Sequence, residues 1–431
     1  MDDNAPFHPN GMVVMKDDII THIGPFNPEK VKGQVVDMSN KVLVPGFINT
    51  HTHSHSPLFR GIADDLSLMD WLKDYMWPAE KHIQAKDAYH AAKLSCLELI
   101  ESGVTTFADQ YYYASEVKKA VLESGLRAYI APSVFSWPSP ESDNPFLTAK
   151  AFIENTIKDP HPRIIPCIGP HAIYSCDDQT IKAINELAKK HDLIVHIHIA
   201  ETQDEVDESL EKHGLRPVAY LKKTGLLARK TLSAHTIHVD QSDIDILKEF
   251  DVKISYNPIS NLKLVSGIMP FKALKNQGLD ISLAMDGVQS NNAFNLLSDL
   301  KTGVLIQKMH EHDPTFIPAL EALKLITIDA AKCLFAEDKI GSLEIGKQAD
   351  LIAFDLDDTN LTPVFKDHFS MVTSALVYSA QPSNITDVMV GGGFLYRNQK
   401  HRTLDAQAVK TACRKSSRSI LEAIQFFDKP N

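Results

Sequence analysis

Two histidines end a short apolar run near the N-terminus. The segment Pro-Gly-Phe-Ile-Asn-Thr-His-Thr-His spans residues 45–53. On a β-strand, residues i and i+2 point to the same face, so His51 and His53 are predicted to lie side by side at a strand end. Two neutral imidazoles that converge on one point are the beginning of a metal site. A solvated His-rich turn is the alternative, since His55 continues the run.

Similar residues end three later apolar runs. One run ends in His198, with Glu201 three residues on, while His196 points inward one layer deeper and is interpreted as a packed core histidine. Two further runs end in His235 and Asp286. Each residue alone has an ordinary explanation, such as a turn at Asp-Gly. Together, three or four histidines and one carboxylate predict a divalent metal site, with Zn²⁺ favoured and Fe²⁺ as the alternative.

These residues need a scaffold that brings several strand ends together. From about residue 43 to 335, short β-rich runs alternate with amphipathic helical stretches, which is the pattern of parallel βαβ units. The predicted strands are Val42–Ile48, Thr105–Ala108, Ala128–Val134, Ile164–Ile168, Leu193–Ile199, Thr231–Ala234, Val252–Ser255 and Ile281–Ala284. This α/β pattern predicts a (β/α)8 TIM-like barrel over residues 45–339, whose carboxyl strand ends converge on one site. A doubly wound sheet is the alternative, but no Gly-x-Gly-x-x-Gly fingerprint follows a strand.

The two segments that flank this region share a different sequence pattern, in which short strands alternate with turns. They predict one small β-sandwich domain built from residues 1–44 and 340–403, and a C-terminal helix within 404–431 that packs on the outside. The predicted flank strands are Gly11–Lys16, Ile19–Ile23, Val35–Val36, Leu351–Phe354, Thr373–Val377 and Val388–Val390.

Composition limits the partners. The net charge is −11, and no Lys/Arg block interrupts the acidic surplus, which argues against a nucleic-acid partner. No signal peptide and no apolar run near the ~20 residues of a membrane span are found. The five cysteines are scattered and form no Cys-x-x-Cys pair. A cytoplasmic protein with a small-molecule substrate is therefore expected, and a homo-oligomer stays open.

The spacing also predicts chemistry. A second ion would need a Lys or Glu at the end of the fourth strand, and that strand offers neither, so one metal per chain is expected. Zn²⁺ lowers the pKa of bound water to about 7. Asp286 is placed to take the proton of the nucleophile and return it to a leaving amine. Glu201 suits a general acid for a ring nitrogen, and His235 would hold the hydroxide or the developing alkoxide.

These motifs together resemble the amidohydrolase superfamily in its deaminase branch, and within it the 5′-methylthioadenosine/S-adenosylhomocysteine deaminases. The resemblance implies that His51, His53, His198 and Asp286 bind the metal. It also implies that Glu201 and Asp286 transfer protons and that His235 polarises the reacting groups. It spans nearly the whole chain and rests on residues 45–53, 60–66, 103–109, 169–175, 198–202, 257–264, 286–292 and 346–351.

The resemblance also implies two substrate contacts. Glu80 resembles the carboxylate that binds the ribose hydroxyls, and His171 resembles a contact at the end of the fourth strand. Relatives that accept S-adenosylhomocysteine use arginines after the third strand, whereas residues 133–150 contain no arginine. A site without a bidentate carboxylate clamp should bind that substrate poorly. A preference for methylthioadenosine, adenosine or another aminated heterocycle is therefore expected.

The leading hypothesis is a metal-dependent hydrolytic deaminase that releases ammonia from the adenine ring of an adenosine derivative. Within the same chemistry, guanine and triazine- or pterin-like rings are alternative substrates. A hypothesis of another class is a non-catalytic barrel scaffold. Such scaffolds lose ligands, whereas this chain keeps every predicted ligand and both proton-transfer carboxylates.

Overall fold

A computed structural model describes residues 7–31, 33–62 and 64–426. The strands within these residues are β1 Gly11–Lys16, β2 Ile19–Pro25, β3 Lys41–Pro45, β4 Phe47–Thr52, β5 Val104–Tyr111, β6 Arg127–Val134, β7 Ile164–Pro166, β8 Gly169–Pro170, β9 Ile194–Ile199, β10 Lys230–His235, β11 Lys253–Tyr256, β12 Ile281–Leu283, β13 Leu351–Asp355, β14 Ile385–Val390, β15 Gly393–Arg397 and β16 Lys400–His401.

Helices alternate with the central strands. A π-helical segment, Leu72–Met76, joins the first two helices. The α-helices are α1 Leu68–Trp71, α2 Trp77–Glu80, α3 Ala85–Glu101, α4 Ala114–Ser124, α5 Pro145–Lys158, α6 Asp178–His191, α7 Gln203–His213, α8 Pro217–Thr224, α9 Gln241–Glu249, α10 Pro258–Lys263, α11 Phe271–Asn276, α12 Val288–Asn291, α13 Leu296–His310, α14 Ala319–Lys324, α15 Ile328–Cys333, α16 Phe369–Tyr378 and α17 Ala406–Ala423.

Two parallel sheets form the centre of a TIM-barrel-like α/β fold. One contains β4, β5, β6 and β7 in chain order, with β8 also paired to β6, and the other contains β9 to β12. A parallel bridge between Ile168 and Val195 connects the two sheets. On the other side, the backbone N–H of Asp286 donates to the carbonyl of His51 at 3.1 Å. Strands β4, β5, β6 and β9 are buried throughout, as expected of parallel strands covered on both faces.

An antiparallel sheet joins the two chain flanks. Its order is β16-β15-β14-β13-β3, so a strand from before the barrel region pairs with strands from after it. The pair β3–β13 places Val44 opposite Ile352, and both side chains are buried. Strands β1 and β2 form a separate hairpin, whose Ile20 N–H donates to the carbonyl of Lys347 at 2.9 Å.

The first predicted barrel strand divides in two. Residues Val42–Ile48 were expected as one strand, but the chain passes from β3 to β4 at Gly46. A Cβ atom at Gly46 would lie 2.2 Å from Oγ1 of Thr105, so only glycine fits where the chain crosses β5 so closely. The result is that β3 joins the antiparallel sheet while β4 begins the parallel one.

Two predicted flank strands are wrong. Residues 373–377 lie inside helix α16. Val372 and Leu376, one helical turn apart, are both buried, so the helix packs this apolar face inward. Short apolar runs do not distinguish a strand from a helix by pattern alone. Residues Val35–Val36 form no strand, and Val35 is 65% exposed, so this apolar pair does not reach the core.

Helix α17 packs against α3 on the outside of the parallel sheets. Nδ1 of His90 lies 3.1 Å from Oγ of Ser416, and Val409 and Ile420 of α17 are buried. Part of the predicted segment 404–431 lies outside the described residues. Among the described residues, the helices are all too short or too polar to span a bilayer.

Candidate metal centre and active site

Three histidines from two strands form the floor of the site. His51 and the adjoining His53 come from the end of β4, and His198 comes from β9. One ring nitrogen of each lies within 4.8 Å of the others. The ring centroids of His51 lie 4.9 Å from those of both His53 and His198. The i, i+2 spacing therefore does bring the first two imidazoles to one face.

Backbone carbonyls fix two of these rings. Nδ1 of His53 lies 2.7 Å from the carbonyl oxygen of Gln110, and Nδ1 of His198 lies 2.7 Å from that of His171. A carbonyl oxygen only accepts, so Nδ1 carries the proton in both rings. In the neutral form that binds a metal, the lone pair of each ring is then on Nε2, which faces the centre of the cluster. Metal-binding histidines are oriented in this way.

His196 performs the same task for the third ring. Its Nε2 lies 2.8 Å from Nδ1 of His51, and both side chains are buried. The expected core histidine is thus buried, but it also supports a predicted ligand. Nε2 of His51 has no hydrogen-bond partner, although its atom surface is closed to solvent. A buried nitrogen left without a partner is costly, and a metal ion would satisfy it.

Asp286 stands beyond the end of β12 in a left-handed conformation, with φ of +63°. Its Oδ2 accepts hydrogen bonds from the hydroxyls of Ser260 at 2.6 Å and Ser290 at 3.0 Å. Its Oδ1 accepts from the backbone N–H of Gly287 at 2.7 Å. These donors hold the carboxylate ionised and directed at the histidines.

The carboxylate and the histidines meet at short range. Oδ1 of Asp286 lies 3.1 Å from Nε2 of His53 and 3.4 Å from Nε2 of His51. Burial raises the pKa of Asp286, but the close imidazoles of His51 and His53 outweigh it and hold that pKa well below its usual range. Imidazole nitrogens and an ionised oxygen that converge in a buried site form a donor set suited to a divalent cation.

Glu201 lies above this cluster on a strained turn. Ala200 has a φ of +51°, and the Glu205 carboxylate accepts the backbone N–H of Ala200 at 3.0 Å and of Glu201 at 2.9 Å. Burial, with the charges of Asp286 and Glu205, raises the pKa of Glu201 to about 8. A carboxylic acid protonated near neutral pH can donate a proton to a substrate.

His235 ends β10 and faces the same space. Its Nε2 lies 3.6 Å from Oε2 of Glu201, and its Nδ1 lies 2.8 Å from the amide nitrogen of Asn261 and 3.4 Å from that of Asn257. Burial lowers the pKa of His235 to about 3, so the ring is neutral. With amide N–H groups donating to Nδ1, the proton of the ring is on Nε2. His235 therefore presents a hydrogen-bond donor.

A pocket opens over these residues at the carboxyl ends of the strands. Its walls are rich in aromatic and aliphatic side chains, and no Lys or Arg side chain lines it within the described ranges. It is lined by His53, Leu68, Trp71, Leu72, Trp77, Glu80, Gln110, Tyr111, Tyr112, Ser133, Phe135, His171, Tyr174, His198, Glu201, His235, Leu264, Asp286, Gln289 and Ser290.

Glu80 ends α2 and reaches into this pocket, although its side chain is buried. The hydroxyl of Tyr111 donates a short hydrogen bond to Oε1, and that of Tyr112 lies 3.4 Å from Oε2. Burial raises the pKa of Glu80 to about 7, against the lowering effect of the tyrosines. Sequence reasoning missed both tyrosines. The available signal was a Tyr-Tyr-Tyr run that begins three residues after the end of a predicted strand.

His171 follows β8 and forms another wall. Its ring stacks on Phe135 with centroids 4.7 Å apart, and its Nδ1 lies 3.0 Å from Oγ of Ser175. Burial, with the charges of His53 and His51, lowers the pKa of His171 to about 3. The residue is therefore a neutral polar group in a largely apolar wall. The structure thus brings all the sequence-predicted site residues to one pocket or directly beneath it.

Comparison with known proteins adds independent information. Residues 42–395 match the model of the amidohydrolase family. The chain is 37% identical to a 5-methylthioadenosine/S-adenosylhomocysteine deaminase of Thermoanaerobacter pseudethanolicus, over 98% of this chain and 97% of that protein. It is 38% identical to a 5′-deoxyadenosine deaminase of Methanobrevibacter smithii, over 96% of this chain and 94% of that protein.

A solved structure is similar over nearly the full length. An adenosine deaminase from Xanthomonas campestris, with bound zinc, superposes with a TM-score of 0.90. It is 29% identical in sequence, and the match covers 95% of this chain and 94% of that one. The similarity therefore extends across the parallel sheets and both flanks.

Proposed function

Since the chain belongs to the amidohydrolase family, we propose that it is a metal-dependent hydrolytic deaminase that releases ammonia from the adenine ring of an adenosine derivative. One observation carries the proposal. Side chains able to bind a metal, the protonated carboxyl group of Glu201 and the neutral, hydrogen-bond-donating ring of His235 converge in one pocket. The adenosine-derivative deaminases at 37% and 38% identity support the same reaction class.

In this proposal, His51, His53, His198 and Asp286 hold one divalent cation, with zinc preferred over iron. The partnerless Nε2 of His51 and the oriented lone pairs of the other two rings support that assignment. When bound, such a cation supplies Lewis acidity that activates water at neutral pH.

Three side chains divide the proton transfers. Asp286 accepts a proton from the attacking water at its carboxylate, and Glu201 donates a proton to the ring nitrogen next to the carbon under attack. The Nε2–H of His235 donates a hydrogen bond to the incoming oxygen. Asp286 then passes its proton to the departing amine, and the remaining hydroxyl proton of the added water returns to Glu201 as the C=O bond forms. Water is consumed, a C–N bond breaks, and ammonia leaves.

Two residues bind the rest of the substrate. Glu80 accepts hydrogen bonds from the ribose hydroxyls, and His171 contacts the nucleoside near the metal. Their positions on the pocket wall, buried and close to the proposed metal ligands, support these roles.

The pocket favours substrates with an uncharged 5′ group. The described lining contains the carboxyl groups of Glu80, Glu201 and Asp286 and no lysine or arginine, and it carries aromatic side chains such as Phe135 and Trp77. An amino-acid carboxylate would find no charge-assisted partner there. We therefore place 5′-deoxyadenosine, methylthioadenosine and adenosine ahead of S-adenosylhomocysteine.

The organisation of the chain completes the proposal. We propose that the parallel sheets close into a (β/α)8 barrel over the described part of 45–339, that the described parts of 1–44 and 340–403 form one β-sandwich domain, and that the described part of 404–431 packs outside. Hydrogen bonds between the two sheets and the pairing of β3 with β13 support this division. A cytoplasmic location and homo-oligomerisation remain predictions.

Ammonia release tests the proposal. Zinc-loaded protein is incubated with 5′-deoxyadenosine, methylthioadenosine, adenosine, S-adenosylhomocysteine and guanine, with Glu201→Gln as the matched control. We expect turnover of the first three, and a kcat/KM at least about tenfold lower for S-adenosylhomocysteine, the scale of one missing charge-assisted hydrogen bond. Metal-loaded protein that releases no ammonia from any adenosine derivative would refute the function. Equal turnover of S-adenosylhomocysteine would refute only the preference.

A further inference from the structure

Glu80 is a buried carboxylate supported by neutral groups. It is 8% exposed, and none of the ion pairs found among the described residues includes it. Its contacts are the hydroxyls of Tyr111 and Tyr112, themselves 6% and 7% exposed. An ionised carboxylate removed from water needs hydrogen bonds to each oxygen to remain both charged and oriented.

The two hydroxyls are unequal. Tyr111 makes a short bond to Oε1, whereas Tyr112 lies 3.4 Å from Oε2, at the outer limit of a hydrogen bond. A carboxylate has about four acceptor positions. Two tyrosine hydroxyls leave about two positions for a ligand, the number that a vicinal diol requires.

Tyr111 itself packs against the segment that directly follows β4, which includes His53 and His55. Its ring packs edge-on against His55 with centroids 4.7 Å apart, and it is tilted 5.7 Å from His53. His55 is fully buried, and neither of its ring nitrogens has a hydrogen-bond partner. His55 therefore acts here by packing against Tyr111. The sequence alone did not indicate this contact.

We infer that Tyr111 is the positioning residue that sets Glu80 for the sugar diol, so that recognition of the 2′ and 3′ hydroxyls depends on the Tyr111 hydroxyl. The inference rests on the proposed function. It adds that sugar recognition is coupled, through Tyr111 and His55, to the segment that directly follows β4. Tyr112 contributes less, in proportion to its longer contact.

Steady-state kinetics of Tyr111→Phe on adenosine and on 2′,3′-dideoxyadenosine tests this inference. We expect KM for adenosine to rise about tenfold, the effect of about 1.4 kcal/mol. KM for the dideoxy substrate and both kcat values should change little. Tyr112→Phe should give a smaller change of the same kind. Tyr113→Phe is the matched control, because its hydroxyl bonds to the carbonyls of Ile83 and Pro140, away from Glu80.

Epistasis separates positioning from a general structural effect. In a Glu80→Gln background, Tyr111→Phe should leave the ratio of the two KM values unchanged. Parallel rises for both substrates, or no change in the ratio for the single Tyr111→Phe variant, would overturn the inference while leaving the function intact. A wild-type protein that deaminates neither substrate would overturn the function and, with it, this inference. Thermal unfolding of each variant checks that the fold is retained.

Discussion

The metal side of the pocket and its Glu80 side hold their buried polar groups by different means. His53 and His198 are fixed by backbone carbonyls, that of Gln110 in β5 and that of His171 directly after β8. Glu80, at the end of a four-residue helix, is fixed by two side-chain hydroxyls. Strand backbones define positions rigidly, whereas hydroxyls on side chains adjust. Substitutions on the metal side should therefore abolish activity. Substitutions on the Glu80 side should lower the affinity for substrate by smaller and varying amounts.

The largest effect is expected from a metal ligand. His198→Ala removes one converging nitrogen and should lower kcat/KM by more than about 10³-fold, since several kcal/mol of transition-state stabilisation depend on the cation and each tenfold corresponds to 1.36 kcal/mol. Metal analysis should show loss of the bound ion in parallel. Retention of stoichiometric metal and activity would exclude His198 as a ligand. His161→Ala, at a histidine outside the described pocket lining, is the control.

Loss of the proposed general acid, Glu201, should lower the rate nearly as much and leave metal binding unchanged. Glu201→Gln is expected to lower kcat by about 10²–10⁴-fold, the range of general acid–base catalysis, with metal content unchanged. Stopped-flow or ammonia assays at saturating substrate measure this value. A variant that keeps wild-type kcat would assign the proton transfer to another group.

Substitution of His196, whose ring lies beneath the proposed metal ligands, should have an intermediate effect on metal affinity. His196→Leu removes the hydrogen bond to Nδ1 of His51. Metal affinity should fall about 10–100-fold, because outer partners orient ligands. Competition with a chelator measures the affinity, and His196→Gln, which retains a polar group, should recover part of it. Unchanged affinity in His196→Leu would reduce His196 to a packing residue.

The Glu80 side should show the smallest and most graded effect, through pH. The pKa of Glu80 is raised to about 7, so the carboxylate loses its charge as pH falls through 7. KM for adenosine should then rise by up to about tenfold between pH 7.5 and 6, as the ionised fraction declines. Glu80→Gln should give a high KM that varies little over this interval. A pH-independent KM in the wild type would contradict this role.

The two sides also differ in how far the sequence predicts them. His51, His53 and His198 follow from strand periodicity, because alternation in a strand decides which side chains share a face. Glu80 follows from family resemblance alone, since its helix, short and joined to a π-helical segment, has no periodic signal. Tyr111 and His196 were missed or undervalued because their roles depend on contacts between separate strands. The helix at 373–377 was mistaken for a strand because five apolar-rich residues fit both periods.

Reconstitution with metal tests the central claim most directly. The protein is stripped with a chelator, then titrated with Zn²⁺ while bound metal and ammonia release from 5′-deoxyadenosine are measured on the same samples. We predict negligible ammonia release from the stripped protein and a linear recovery that ends at one equivalent per chain. Full turnover by the metal-free protein, or recovery only at two equivalents, would contradict a deaminase built on a single ion.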